Sequence, residues 1–109
     1  MDCVFSGKKG NYTEDDFRDA DDVYGRSKAL GEIINNKDLT IRTSIIGPEL
    51  KDNGEGLFHW FMHQSGKICG FRTAVWGGVT TLELAKAIDY ALDSGTTGLV
   101  HLSNGIGIS

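Results

Sequence analysis

A chain of 109 residues, 39% hydrophobic and 24% charged, has the make-up of one small globular domain. A net charge of −4 lacks the clustered Lys and Arg that a general nucleic-acid or anionic-membrane surface requires, and no apolar run approaches the ~20 residues of a membrane helix. The start shows no basic region followed by a long apolar stretch, and Cys3 and Cys69 form no CxxC pair, so the composition predicts a cytoplasmic protein with two reduced, buried thiols.

Cys3-Val4-Phe5 reads as the last residues of a buried strand. A strand that opens a chain suggests that a segment precedes it. Residues 6–20 are polar and contain Gly7, Gly10 and Asn11, which marks a loop. The acidic run from Glu14 to Asp22 lacks the ordered EF-hand pattern and reads as a solvated loop that starts a helix, because a carboxylate there satisfies free N–H groups and suits the helix dipole.

Residues 22–35 follow as a helix with Val23, Leu30 and Ile34 on its apolar stripe and Ile33 beside it. Residues 39–46 are rich in β-branched side chains and predict a strand, closed by Gly47-Pro48. Residues 57–64 predict a short aromatic helix, and residues 68–76 one or two extended pieces. Thr80 or Thr81 caps a helix whose apolar face is Leu82, Ala85, Ile88 and Leu92 and which ends at Gly95. Residues 99–102 give a last strand. The alternation predicts an α/β layer with parallel strands, and three strands are too few for the doubly covered sheet such strands prefer. The chain therefore reads as a slice of a larger domain.

The stretch that carries chemistry is Tyr24-Gly25-Arg26-Ser27-Lys28-Ala29-Leu30-Gly31-Glu32. Tyr24 and Lys28 are four apart and share a helical face. A phenol, with an ordinary pKa of about 10, is a poor base at neutral pH, and a neighbouring ammonium favours its phenolate. Such a pair can pass a proton to a carbonyl oxygen as hydride reaches its carbon, or take it back. The small residues Gly25, Ser27 and Gly31 let neighbouring groups approach closely.

YGxSKxxGE resembles the active-site helix of extended short-chain dehydrogenases. Asp2-Cys3-Val4-Phe5-Ser6-Gly7 is similar to the segment before that family's active-site loop, and Ile41-Arg42-Thr43-Ser44-Ile45-Ile46-Gly47 to the strand after its catalytic helix. The spacing of the three stretches matches. The dTDP-4-dehydrorhamnose reductase branch and related sugar-nucleotide-binding proteins fit best, and Val79 to Ile88 resembles their late helix.

The resemblance implies the carboxy-terminal part of a Rossmann-like, doubly wound domain. It implies Tyr24 as proton donor, with Lys28 tuning it and holding ribose hydroxyls of NADPH or NADH. It also implies that Tyr24, Lys28, Ser44 and Ile45 border the cofactor, and that Phe58 and Thr80 border a nucleotide-linked keto sugar. The choices between NADH and NADPH, and between reductase and epimerase or dehydratase chemistry, stay open.

The chain departs from that family in three places. No Gly-rich turn leading into a helix is present to take a cofactor pyrophosphate. Met1 stands where the family carries a Ser or Thr, and a thioether donates no hydrogen bond. The Pro often found before the catalytic Tyr is replaced within Asp21-Asp22-Val23. The isolated chain is therefore expected to be inactive, to bind no cofactor and to self-associate through uncovered sheet surface. The alternative is a non-catalytic, sugar-nucleotide-binding or regulatory subunit on the same fold. His59 and His63 share a helical face, but no Glu follows His59 and no third ligand is evident, so no metal site is expected.

Overall fold

In the computed structural model, which describes residues 2–109, the chain opens with a 3-10 turn over Asp2–Val4. A strand end was expected there. The Val4 carbonyl accepts the Ala20 N–H at 3.3 Å, so it bonds to the following loop and no strand lies alongside.

Helix α1, Val23–Leu30, starts where Asp22 accepts the Gly25 N–H at 3.1 Å, which is the acidic cap expected of the run. It ends at Gly31, well before residue 35. The Asn35 side-chain oxygen accepts the N–H groups of Lys37 and Asp38, both at 2.7 Å, and this local turn competes with the helix ladder. Ile33 and Ile34 thus fall outside the helix, and Val23 and Leu30 face solvent (86% and 88% exposed) with no sheet against them.

The predicted strand over residues 39–46 is two strands, β1 (Leu39–Thr43) and β2 (Ile45–Ile46). The break falls at Ser44, whose carbonyl accepts the Val79 N–H at 2.9 Å, so the chain changes partner there. Helix α2, Leu57–Met62, is two residues shorter than predicted, and residues 68–76 hold no strand beyond Trp76, which bridges Ile108 in antiparallel fashion. Strand β3 (Val79–Thr80) leads into helix α3 (Thr81–Ser94), capped by the Thr80 hydroxyl accepting the Glu83 N–H at 3.2 Å. Gly95 ends α3 in the left-handed conformation (φ 65°), where glycine carries no Cβ penalty. Strand β4, Gly98–Leu102, follows.

Both ladders are parallel: β1 pairs β4 with Ile41 opposite Val100, and β2 pairs β3 with Ile46 opposite Thr80. The structure is therefore mixed α/β with small parallel sheets, and no described helix is long and apolar enough to cross a membrane.

Little of this fold is covered. Val4, Phe5 and Val79 are the buried apolar residues among those described. Helix α3 turns Leu84, Ala87 and Ala91 inward and leaves Leu82, Ile88 and Leu92 of the expected face exposed. Cys3 is half-buried and Cys69 exposed, so the expectation of two buried thiols fails. The radius of gyration is 15.5 Å, against about 13 Å for a compact chain of this length. The accessible surface is 8659 Å², roughly 2,700 Å² more than a folded monomer of this mass exposes.

One close approach positions α1. A Cβ on Gly25 would lie 2.0 Å from the Cys3 carbonyl oxygen and 2.5 Å from Ala20 Cβ, so the helix backbone rests directly on the 3-10 turn. Gly25→Ala is expected to lower stability by about 1–3 kcal/mol in urea unfolding, although Ala is the better helix former. Gly31→Ala, with nothing nearer than 3.6 Å, serves as the control and shifts the midpoint far less.

Candidate functional site

Tyr24 sits in the first turn of α1, 61% exposed, and Lys28 one turn later on the same face. The ammonium of Lys28 lies over the Tyr24 ring, 5.4 Å from its centroid. Within the described residues the Tyr24 hydroxyl makes no hydrogen bond, so it is free to meet a ligand. It borders an open cleft of about 400 Å³ lined also by Cys3, Phe5, Ser6, Ala20, Asp21 and Asp22. The two carboxylates there are engaged: Asp22 caps α1, and Asp21 pairs with Lys8 at 3.6 Å.

Ser6 enters this cleft, a position that sequence spacing gave no reason to expect. Its hydroxyl donates to Asp19 Oδ2 at 2.5 Å and its backbone N–H donates to Asp19 Oδ1 at 2.8 Å. These bonds hold the Asp19 carboxyl below the usual range and commit the Ser6 proton to it. Ser6 therefore cannot stand in as a donor to a carbonyl substrate. Met1, the other position in question, lies outside the described residues.

The remaining expected site residues do not line the Tyr24 cleft. Ser44, Ile45 and Thr80 come together at the β2–β3 ladder, where Ile45 faces Val79 and Thr80 caps α3. Phe58, 37% exposed, stands in the first turn of α2. His59 and His63 stack with centroids 4.1 Å apart, and no cluster of three or more His, Cys, Asp or Glu among the described residues could hold a metal.

What sequence reading missed is a polar network that binds α1 to the sheet. Arg42 in β1 donates through Nε to Glu32 Oε1 at 2.6 Å and through Nη2 to Glu32 Oε2 at 2.9 Å, a bidentate pair with both side chains about 5–6% exposed. Arg18 adds a contact to Glu32 Oε2 at 2.9 Å, and Arg42 Nη1 lies 3.1 Å from His101 Nε2. The guanidinium lies over Phe5, which stacks on Tyr12. A signal was present: a lone Arg amid β-branched residues of a strand needs a buried partner.

The guanidinium of Arg42, and then that of Arg18, hold the Glu32 carboxyl below its ordinary range, and the backbone N–H of His101 does the same for Glu14. Asp16 is drawn down to about 2 by Lys9. Each is a carboxylate whose folded pKa lies below its unfolded one. The stability each contributes is present above the unfolded value and is lost as pH falls through the folded one. The urea midpoint is thus expected to hold at neutral pH and to fall steadily from about pH 5 downward. A flat profile to pH 3 would show that the network adds nothing.

No known family model matches this chain, and neither a curated protein nor a solved structure proves similar to it.

Proposed function

We propose that this chain is the catalytic-helix part of a cytoplasmic, NAD(P)H-dependent reductase acting on a keto group of a nucleotide-linked sugar. The observation that carries the reading is the Tyr24–Lys28 pair, which shares one exposed helical face, with Tyr24 bordering a cleft. Tyr24 donates the proton that the carbonyl oxygen needs as hydride arrives, and Lys28 binds ribose hydroxyls. NADPH or NADH supplies the hydride. Parallel ladders and large uncovered apolar surface support an incomplete doubly wound sheet, whose nucleotide-binding half would be held elsewhere in the protein. Ser44, Ile45, Phe58 and Thr80 would border cofactor and sugar once that half is in place.

The test is deuteride transfer. A polypeptide carrying this chain together with a nucleotide-binding half is given NADPH deuterated at C4 and a dTDP-linked 4-keto sugar. Label on the reduced carbon is expected, and the isolated chain is expected to give none. Absence of label from the completed polypeptide, with NADPH bound, would leave the sugar-nucleotide-binding subunit as the reading.

A further inference from the structure

Residues 6–19 leave the 3-10 turn and return beside it as a loop whose ends meet, and carboxylates accept most of its ties. Among the described residues, this segment makes no backbone-to-backbone hydrogen bond with either sheet. Asp19 closes the neck by accepting the Ser6 hydroxyl and the Ser6 N–H. Asp16 braces the middle, accepting the Thr13 N–H at 2.7 Å and pairing with Lys9. Glu14 reaches the sheet, where its Oε1 accepts the His101 N–H of β4 at 2.7 Å. Two ties are of another kind: Tyr12 stacks on Phe5, and Arg18 donates to the Ala29 carbonyl and to Glu32. Compact surface loops of this type, packed by their own side chains, form units of low local stability.

We propose that residues 6–19 form an acid-released strap, which comes off the β4 edge as one unit with Glu14 letting go first, while the β1–β4 sheet and the Glu32–Arg42 pair stay formed. The geometry sets that order. Glu14 is exposed and holds the sheet through a single N–H, so its protonation weakens one bond. Glu32 accepts from Arg42 Nε, Arg42 Nη2 and Arg18 Nη1 with only 6% of its side chain exposed, and its protonation would leave a buried guanidinium without a partner. Tyr12 on Phe5 and Arg18 on Glu32 remain as tethers about which the strap moves.

The cations around the strap all keep their charge as pH falls, so the carboxylates are the groups that change. His101 of β4 and Arg42 of β1 face Glu14, Lys8 faces Asp19 and pairs with Asp21, and Lys9 faces Asp16. The His101 N–H holds Glu14 below its ordinary range, the Ser6 hydroxyl does the same for Asp19, and Lys9 draws Asp16 down to about 2. Each folded value lies below the unfolded one. The ties are therefore complete above about pH 4–5 and fail as pH falls through the folded values. Ser6 at the neck lines the Tyr24 cleft, so release loosens one wall of it. The proposal concerns the order of this loop and does not rest on the chemistry proposed for Tyr24.

Residue-resolved amide exchange from about pH 6 to about pH 3, expressed as protection relative to the unfolded chain, tests it. The His101, Thr13 and Ser6 amides are expected to lose protection together, by at least about tenfold. Gly98 and Val79, whose amides donate to the Asp38 and Ser44 carbonyls, are expected to keep theirs. Glu14→Gln leaves an acceptor for the His101 N–H and removes the titrating group, so it is expected to cut the fall at His101 to less than about twofold. Protection at His101 that is unchanged at the acid end, or that falls only in step with Gly98 and Val79, overturns the proposal. So does a fall at His101 alone, with Ser6 and Thr13 still protected, and so does a Glu14→Gln chain that behaves as wild type. The wild-type comparison needs no variant to fold.

Discussion

Glu32→Ala is expected to lower the folding free energy by about 3–5 kcal/mol, a large part of the stability of a domain this size. The reason is what remains, since Arg42 has only 5% of its side chain exposed and cannot turn to water when its carboxylate is removed. Its other neighbours are the His101 ring nitrogen and the face of Phe5, which carry no compensating charge, and the nearby Glu14 carboxylate is held by the His101 N–H. A buried guanidinium stripped of its partner is among the most destabilising single changes known for a small domain.

The pair as a whole is a different matter. Removing both charges spares the desolvation of each, so Glu32→Met with Arg42→Met is expected to recover most of the loss. Urea melts of wild type, both single variants and the double variant complete the cycle. A single-variant loss below about 1 kcal/mol would equate this pair with an exposed surface ion pair. Arg18 is the part of the network that can relax, with 39% of its side chain exposed, so Arg18→Ala is expected to shift the midpoint much less.

The parts of the fold legible in the sequence are those set by local chemistry. The acidic cap at Asp22, the Thr80 cap and Gly95 end of α3, the β-branched run of β1 and the short apolar run of β4 follow from propensity and capping. The errors arose where a competing local turn or tertiary context decides. The turn at Asn35 displaced an apolar stripe that continued past the true end of α1. The change of partner at Ser44 split one β-branched run into two strands. The face of α3 was misjudged because periodicity favoured the larger side chains, whereas Leu84, Ala87 and Ala91 pack inward and Leu82 and Leu92 stay in water.

The candidate site divides in the same way. The Tyr24–Lys28 face was readable because four residues is one helical turn. The Glu32–Arg42 pair was not, because it joins residues ten apart through a turn that spacing does not describe. The two features are connected all the same. Glu32 follows α1 directly, and its pairing with β1 anchors the end of the helix that presents Lys28. Gly25 anchors the start, beside Tyr24. A helix pinned at both ends by such contacts keeps its exposed face at a fixed orientation, which a proton donor requires.

That rigidity makes Tyr24→Phe a clean test of the chemistry. The side chain is 61% exposed and its hydroxyl bonds to no described residue, so the substitution is expected to change stability by less than about 0.5 kcal/mol. If the proposed reductase reading holds, the same change in the completed polypeptide is expected to lower kcat by about 10²–10⁴-fold with little effect on the KM for NADPH, because only the proton transfer is lost. Lys28→Met separates the second proposed role: it is expected to lower kcat and also to raise the KM for NADPH, since the proposed ribose contact would be lost as well. Steady-state kinetics on both variants, beside matched urea melts, check the pair. If Tyr24→Phe retained full turnover, the phenol would not be the proton donor, and the Lys28 ammonium over its ring would be no more than a surface cation–π contact.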